Sequence, residues 1–464
     1  MTHAAIPFAA AMLFGFAAAR PPNPPPAPSA FDQFVTPYVT MGDFSGAILV
    51  ARRGKVIFRR DYGKLDYDRN VPHSRRSRFH IASLSKTFTA AAVLLLEKDC
   101  KLALTDPMSK YLPDYPVAQK ITLTQLLGHS SGLPDYYSLP EYPEFKRSPV
   151  TLERLIAIVK TKPLDFAPGT QSRYSNTGYA FLAYVIERVS GLSYDRFVRQ
   201  RLMLPAGMKN SGTWSDTDKV QIPFRERGYQ RWIGPSDLRE APFYDKTLLT
   251  GAGSLYSTAD DLRAWYGFFR SRNLFPVEGS HYPYGWGLQK KNGRLYLDQS
   301  GRDPGFVSHM SVFPGEDLVI IVLGNLEVGA DSAIADGLAT IALGGHATPP
   351  PARPTYPVDE KSLASYTGRY EVTPSLVLDV MPAAGHLFLR GTGGDFLPLD
   401  PTGKDAFFYR QLYTSVAFQR DKTGRVAALL WGGDYSCRRS GDVPVGAAKA
   451  FRETVAAETK SQPK

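Results

Sequence analysis

Apolar runs near the start of the chain predict a β-hairpin within a buried sheet. Residues 46–50 and 55–58 are apolar and rich in β-branched side chains, and Arg53-Gly54 between them suits a turn. Strand-like runs return at residues 305–313 and 318–323. Strands at both ends of a domain, with helices between them, imply a single antiparallel sheet whose first and last strands pair.

The segment between those strands carries the predicted helices. Residues 83–98 are apolar almost all round, which is typical of a helix buried at the centre of a domain. Helical spacing recurs at residues 123–127, 152–160 and 178–189. The pattern therefore predicts an α+β domain.

A change of sequence character after residue 345 predicts a second folded unit. Residues 346–358 are rich in proline and predict a linker. From residue 359 to 446, short alternating strands separated by turns predict a small, all-β, barrel-like domain. The polar residues 447–464 are expected to form a disordered tail.

The first 30 residues predict export. Residues 4–19 are apolar, end in small residues and precede a proline-rich spacer. This stretch is too short to span a bilayer comfortably but suits the core of a signal peptide. No Lys or Arg precedes it, so a disordered cytosolic tail stays open as the alternative. We expect a periplasmic or secreted protein with a catalytic domain at residues 31–345 and no membrane segment in the mature chain.

Composition narrows the partners and cofactors. The 464 residues, 43% of them hydrophobic, can build two folded units. The net charge is +11, but no basic helix or basic-aromatic run accompanies it, so we expect no nucleic-acid partner. Cys100 and Cys437 stand too far apart for a disulfide framework or a metal site. Both are expected to be buried thiols, and neither a metal nor a cofactor is expected.

Candidate chemistry begins with Ser83-Leu84-Ser85-Lys86 at the start of the buried helix. Residues three apart share one helical face, so the Lys86 amine can lie against the Ser83 hydroxyl. An amine kept neutral by burial can take the serine proton, and the helix N-terminus favours a developing oxyanion. The same spacing recurs at Ser461 and Lys464, but within the polar tail.

A second candidate group is Tyr174-Ser175-Asn176. A tyrosine beside a lysine can act as a phenolate of lowered pKa that relays the proton to the leaving group. Asn176 can donate a hydrogen bond to the amide oxygen of a substrate. Such a tripeptide is, by itself, also typical of a turn or a helix cap.

Together these segments resemble the serine β-lactamase and DD-peptidase superfamily, in the branch similar to class C β-lactamases. The resemblance runs from about residue 44 to 343 in the family's order. It implies an antiparallel sheet flanked by helices with a helical subdomain. It also implies an acyl-enzyme on Ser83, with Lys86 as base and Tyr174 as proton relay. The segments that carry it are residues 79–86, 126–134, 168–176, 251–255 and 284–287.

The sequence departs from that branch at residue 299. The branch usually has Lys or His, any residue, then Gly, where this chain has Gln299-Ser300-Gly301-Arg302. These four residues are expected to bind substrate, with the backbone N–H of Arg302 joining that of Ser83 in an oxyanion hole. Gln299 is neutral, so it can donate a hydrogen bond to a substrate carboxylate but cannot form an ion pair with it. Loss of a charge-assisted hydrogen bond costs about 1.5–3 kcal/mol. Strong β-lactamase activity is therefore not expected, and whether the Arg302 side chain replaces the charge stays open.

The sequence thus predicts an exported serine hydrolase acting on small esters, D-amino-acid peptides or amides, with β-lactams as minor substrates. The alternative is a catalytically weak penicillin-recognising protein that binds cell-wall peptides, which Gln299 supports. His80, His129 and His309 are expected to make structural hydrogen bonds. For the C-terminal domain, two roles stay open: shaping the entrance of the site, or stabilising a homodimer.

Overall fold

A computed structural model describes residues 28–214, 227–232, 237–272, 274, 284–373, 376–392 and 394–461. The predicted signal peptide lies outside the described residues. We call the part up to residue 345 the N-terminal domain. Its helices are α1 (Pro28–Thr40), α2 (Lys86–Lys98), α3 (Leu123–Leu127), α4 (Tyr142–Phe145), α5 (Leu152–Val159), α6 (Asn176–Ser190), α7 (Tyr194–Val198), α8 (Leu204–Ala206), α9 (Ala259–Ser271) and α10 (Asp331–Ala342). Its strands are β1 (Gly46–Arg52), β2 (Lys55–Tyr62), β3 (Lys64–Asp66), β4 (Val71–Pro72), β5 (Phe79–His80), β6 (Gly212–Thr213), β7 (Tyr229–Arg231), β8 (Leu238–Glu240), β9 (Leu255–Ser257), β10 (Gly287–Lys291), β11 (Arg294–Asp303), β12 (Phe306–Phe313) and β13 (Leu318–Gly324).

The central sheet of this domain has six antiparallel strands in the order β10-β11-β12-β13-β1-β2. Strand β1 pairs with β13 along its whole length, from Gly46 opposite Gly324 to Arg52 opposite Leu318. This pairing confirms the prediction that the first and last strands of the domain are neighbours.

Helices cover both faces of the sheet, which explains why its central strands are apolar without alternation. Leu49 and Ile321 pack into the core that contains α2, α6 and α9, whereas Ile48 and Ile320 pack against α1 and α10. A strand buried on both faces needs apolar side chains at successive positions. Helix α2 therefore begins in the largest core of the molecule, and this placement fixes the residues at its start.

The C-terminal part forms a closed, eight-stranded antiparallel barrel, as the sequence predicts; we call it the barrel domain. Its core is apolar and includes the buried thiol of Cys437, whereas Cys100 is exposed, so the expectation of two buried thiols is wrong for Cys100. Its elements are α11 (Glu360–Ser365), β14 (Gly368–Thr373), β15 (Leu376–Ala383), β16 (His386–Gly391), β17 (Leu397–Gly403), β18 (Ala406–Tyr409), β19 (Thr414–Arg420), β20 (Val426–Trp431), β21 (Tyr435–Gly441) and α12 (Val445–Ser461).

Two segments expected to be irregular are helical. Residues 447–461 of the predicted tail belong to α12, because Phe451 and Val455, four residues apart, pack in one apolar cluster with Trp232 and Phe388. The predicted spacer ends earlier than residue 30, since α1 begins at Pro28. Among the described residues, no helix is both long and apolar enough to cross a bilayer.

Candidate active site

Ser83 lies on a single 3₁₀ turn, Ala82–Ser85, immediately before α2. The turn is tight: Ala82 has a φ of +44°, in the left-handed region that residues with a side chain rarely adopt. Such strained backbone persists only where its surroundings hold it, and here the Ser308 hydroxyl donates to the Ile81 carbonyl over 2.7 Å. The turn places the Ser83 side chain at the floor of an open cleft.

The Lys86 ammonium group lies beside Ser83 and is fully buried. Its Nζ is 3.1 Å from Ser83 Oγ, and it donates to Asn176 Oδ1 and to the Ala252 carbonyl, each over 2.8 Å. Burial lowers the pKa of Lys86 to about 7, against a smaller opposing effect of the Asp135 carboxylate. A neutral amine has two N–H groups, and these can donate the two hydrogen bonds to Asn176 Oδ1 and the Ala252 carbonyl oxygen. The lone pair then faces Ser83.

Tyr174 completes the group around the nucleophile. Its hydroxyl donates to Ser83 Oγ over 2.8 Å, and its ring lies against the His129 ring at a centroid distance of 4.7 Å. Partial burial raises the pKa of Tyr174 above its ordinary value, against the smaller opposing effect of its hydrogen bond to Ser83, although 45% of the residue is exposed. This direction is opposite to the phenolate of lowered pKa that we expected from the sequence. It leaves Lys86 as the candidate proton acceptor beside Ser83.

Asn176, at the first position of α6, has both ends of its amide engaged. Its Oδ1 accepts from Lys86, and its Nδ2 donates to Asp135 Oδ2 over 3.3 Å. The backbone N–H of Asn176 also donates to Asp135 Oδ2, over 2.5 Å. Asp135 thus fixes which end of the amide faces the lysine. The sequence did not identify this role for Asp135, since no local spacing relates it to Lys86.

Strand β11 forms the opposite wall of the cleft and carries the four residues at 299–302. A Cβ at Gly301 would lie 2.3 Å from the Ile81 carbonyl and 2.9 Å from the Ser83 nitrogen, so only glycine fits. This close approach brings the backbone of β11 beside the Ser83 N–H. Gln299 is buried, and its Nε2 donates to the Ser83 carbonyl over 3.2 Å. Ser300 lines the cleft.

The Arg302 side chain does not supply the cation that residue 299 lacks. Its Nη2 donates to Asp331 Oδ1 over 2.9 Å, and its Nη1 donates to the Gln411 carbonyl of the barrel domain over 2.6 Å. The guanidinium is therefore held between a carboxylate and the barrel. This settles the question that the sequence leaves open for Arg302.

The three histidines near these segments make hydrogen bonds within the protein. His80 Nε2 is 2.7 Å from the Gly253 carbonyl, and its Nδ1 lies 3.3 Å from Asp303 Oδ2. His129 Nδ1 accepts from the Ser175 N–H over 3.1 Å, and His309 contacts Ser311 and Ser332. Burial lowers the pKa of His129 to about 3, so its ring is neutral at physiological pH.

The cleft above Ser83 has a volume of about 970 Å³ and is lined by both domains. The barrel domain contributes Asp395, whose Oδ2 accepts from the Tyr244 hydroxyl over 3.0 Å. It also contributes Gln411, whose Nε2 donates to Glu327 Oε1 over 2.6 Å. The barrel therefore forms part of the entrance to Ser83.

Among the residues that the structure describes, carboxylates outnumber cations along this cleft. Of the five described carboxylates that line it, two are ion-paired, Asp165 with Arg173 and Asp303 with Lys246. The other three accept hydrogen bonds from neutral N–H or O–H groups and, within the described part of the chain, form no ion pair. These three are Asp135, Glu327 and Asp395. A cleft of this kind favours neutral or cationic ligands, although the whole chain is basic.

Among the described residues, no group of three or more His, Cys, Asp or Glu side chains is arranged to hold a metal ion.

Comparison with known proteins gives one family. A family model described as Beta-lactamase matches residues 31–344. "Penicillin-binding protein 4*" of Bacillus subtilis (strain 168) is 28% identical over 436 residues, covering 85% of this chain and 95% of the relative. The structure of the octameric penicillin-binding protein homologue from Pyrococcus abyssi superposes on this chain with a TM-score of 0.59 at 22% identity. The superposition covers 88% of this chain and 99% of the homologue. The structure of the D-amino acid amidase from Ochrobactrum anthropi SV3 superposes with a TM-score of 0.60 at 20% identity. This superposition covers 68% of this chain and 96% of the amidase. The two solved structures, at these identities, establish the fold.

Proposed function

The chain belongs to the Beta-lactamase family of serine hydrolases, and from this premise we propose that it hydrolyses small D-amino-acyl amides, peptides and esters through an acyl-enzyme on Ser83. The observation that carries the proposal is the buried Lys86 amine 3.1 Å from Ser83 Oγ. With a pKa of about 7, a large fraction of this amine is neutral at physiological pH and can accept the serine proton.

The proposed reaction gives each group around Ser83 a defined role. Lys86 takes the hydroxyl proton as Ser83 Oγ bonds to the acyl carbon. The N–H groups of Ser83 and Arg302 stabilise the oxyanion. The Tyr174 hydroxyl, hydrogen-bonded to Ser83 Oγ, donates a proton to the leaving nitrogen or oxygen and is reprotonated from the ammonium of Lys86. Water then attacks the acyl-enzyme by the same sequence of proton transfers, releasing the acid and free Ser83.

The charge of the cleft supports a substrate with a free amino group rather than a free carboxylate. Gln299 offers no cation to a carboxylate, and Arg302 is committed to Asp331. Asp395 favours an ammonium group, and Asp135 and Glu327, whose pKa values burial raises, add to this effect in their ionised form. The likeness to a D-amino acid amidase agrees with this choice. Substrates that need carboxylate recognition, such as β-lactams, are proposed to be minor ones.

The barrel domain is proposed to shape the entrance, because Asp395 and Gln411 line the cleft. A homodimer is compatible with that role, and a relative of this chain is octameric. Export remains part of the proposal on the strength of the apolar residues 4–19. The alternative function, binding of cell-wall peptides with little turnover, is favoured only by Gln299.

The test is labelling and turnover by the full chain and by matched serine variants. Wild-type protein should be labelled by a fluorophosphonate probe and should hydrolyse D-phenylalanine amide and p-nitrophenyl butyrate. Ser83→Ala should lose both properties, whereas Ser461→Ala, the same change at the second Ser-x-x-Lys match, should keep both. Tight peptide binding without turnover by the wild type would favour the alternative.

A substrate pair tests the charge argument separately. D-Alanine p-nitroanilide carries a free amine, whereas its N-acetyl derivative does not. We expect a kcat/KM at least tenfold higher for the free amine, because about 1.4 kcal/mol of differential binding is a factor of ten. Equal values, or a preference for the acetylated compound, would refute recognition of the ammonium group while leaving the acyl-enzyme proposal intact.

A further inference from the structure

A second cavity, of about 230 Å³, lies between the N-terminal domain and the barrel domain. Arg231 of β7, Arg353 of the segment before α11 and Arg410 of the barrel domain all line it, and we call it the arginine pocket. Among the described residues, the pocket shares no lining residue with the cleft above Ser83. It therefore requires an explanation of its own.

The charges around the arginine pocket do not balance. Arg353 and Arg410 both pair with Asp43, and Arg410 also pairs with Asp400. Arg231 donates to the Gly42 carbonyl over 2.5 and 3.2 Å and, among the described residues, pairs with no carboxylate. Three guanidinium groups thus face two carboxylates.

The unmatched guanidinium is removed from water. Arg231 is only 9% exposed, and its Nη1, like Nε of Arg353, is buried without a hydrogen-bond partner among the described residues. Burial, with a smaller effect of Arg410, lowers the pKa of Arg231 to about 10, so it stays charged at neutral pH. A buried charge is costly unless an opposite charge and hydrogen bonds compensate it. A monoanion in the pocket would supply the opposite charge.

The size and walls of the pocket select the kind of anion. Its volume is below the range of pockets for drug-sized molecules, so the ligand is small. Val358, Leu387 and Phe407 contribute apolar wall beside the arginines. A carboxylate matches the planar fork of a guanidinium with two parallel hydrogen bonds. We infer that the arginine pocket is a binding site for a small monocarboxylate with a short apolar chain.

Occupancy would join the two domains. Arg231 belongs to the N-terminal domain, whereas Arg410 and the apolar wall belong to the C-terminal part of the chain. A ligand held by both sides stabilises their docked arrangement, since it binds only when they are together. Gln411, which follows Arg410, contacts Arg302 and Glu327 at the cleft, so the docked arrangement also supports the entrance to Ser83.

Thermal unfolding of the full chain tests the inference. Propionate is titrated against chloride at constant ionic strength, with inorganic phosphate and uncharged methyl propionate as comparison solutes. We expect a saturating rise in Tm with propionate, of about 3 °C at roughly 100 times Kd, and no saturating rise with methyl propionate. No saturating response to propionate would overturn the inference. A response to phosphate alone would overturn the assignment to a carboxylate.

Variants separate this pocket from the cleft, where a carboxylate product could also bind. Arg231→Met should abolish the propionate response, and its Tm without propionate should equal or exceed that of the wild type, because an uncompensated buried charge is removed. Arg196→Met, at an exposed position of α7, should respond as the wild type does. A full propionate response in Arg231→Met would refute the site. None of these readouts depends on turnover, so they stand whether or not the proposed hydrolase activity is found.

Discussion

Replacing Asp135 by Asn should shift the pH dependence of hydrolysis to lower pH. Asp135 contacts Asn176 through the backbone and side-chain N–H groups, and Asn176 contacts Lys86. The Asp135 carboxylate stabilises the ammonium form of Lys86 and so raises its pKa, against the larger effect of burial. Removing the negative charge destabilises that ammonium. The pKa of Lys86 should therefore fall further below 7.

The size of the shift follows from the geometry. The Asn176 amide separates the two groups, with 2.8 Å from Oδ1 to Lys86 Nζ and 3.3 Å from Nδ2 to Asp135 Oδ2. Unit charges about 7 Å apart interact with about 2.4 kcal/mol at an effective dielectric constant of about 20. Because about 1.36 kcal/mol corresponds to one pKa unit, a shift of about 1 to 2 units is expected.

The assay is the pH profile of kcat/KM with a neutral ester substrate. The neutral amine is the active base, so the wild type should lose activity as the pH falls through about 7. In Asp135→Asn this acid limb should move to about pH 5 to 6. Misplacement of Asn176 would lower the plateau without moving the limb, so the two effects are separable.

The matched control is Asp165→Asn, which removes a carboxylate that lines the same cleft but pairs with Arg173. In Asp165→Asn, the acid limb of the kcat/KM profile should lie at the same pH as in the wild type. A limb in Asp135→Asn that is unmoved, or that rises, would refute the electrostatic reasoning.

Three further substitutions test the walls of the cleft. Gln299→His should raise nitrocefin hydrolysis about tenfold by supplying a donor that can carry charge to the substrate carboxylate; no gain would argue that residue 299 does not face the substrate. Gly301→Ala should lower kcat by about 100-fold or more, since the added Cβ would meet the Ile81 carbonyl at 2.3 Å and displace the oxyanion hole; near-wild-type kcat with unchanged circular dichroism would contradict that geometry. Tyr174→Phe should lower kcat for amides by about 100- to 10,000-fold, the usual range for a general acid, with a smaller loss for activated esters; equal losses for both substrates would exclude proton donation to the leaving group.

Patterns that repeat along the chain predicted most of the fold. The apolar run at residues 46–50 and its counterpart at 318–323 are each apolar at successive positions, and only a sheet covered on both faces accommodates that. Ser83 and Lys86 were predictable for a similar reason, because three residues of helix bring two side chains to one face. Local periodicity was sufficient for the strands, but the second match at Ser461 and Lys464 shows that spacing alone does not identify the candidate site.

Features that depend on distant segments could not be predicted in this way. Asp135 acts on Lys86 through Asn176, and its position reflects how the segment after α3 meets α6. The side chain of Arg302 is directed by Asp331 and the barrel domain, whose position relative to β11 has no local signature. The protonation of Tyr174 depends on how much water reaches its hydroxyl. Helix α12 was not predicted because Phe451 and Val455 are the two large apolar residues of the segment 447–461, and two such residues provide too weak a pattern.

The pairing of β1 with β13 has a consequence for how the protein is made. During synthesis, β1 leaves the ribosome long before β13, and at about 5 to 20 residues per second the delay is roughly 15 to 60 s. Throughout that interval the apolar strand at residues 46–52 has β2 on one edge and no neighbour on the other. An unpaired apolar edge is a template for aggregation, and sheets that join distant segments form slowly. The nascent chain should therefore depend on a chaperone that shields this edge until residue 324 has emerged.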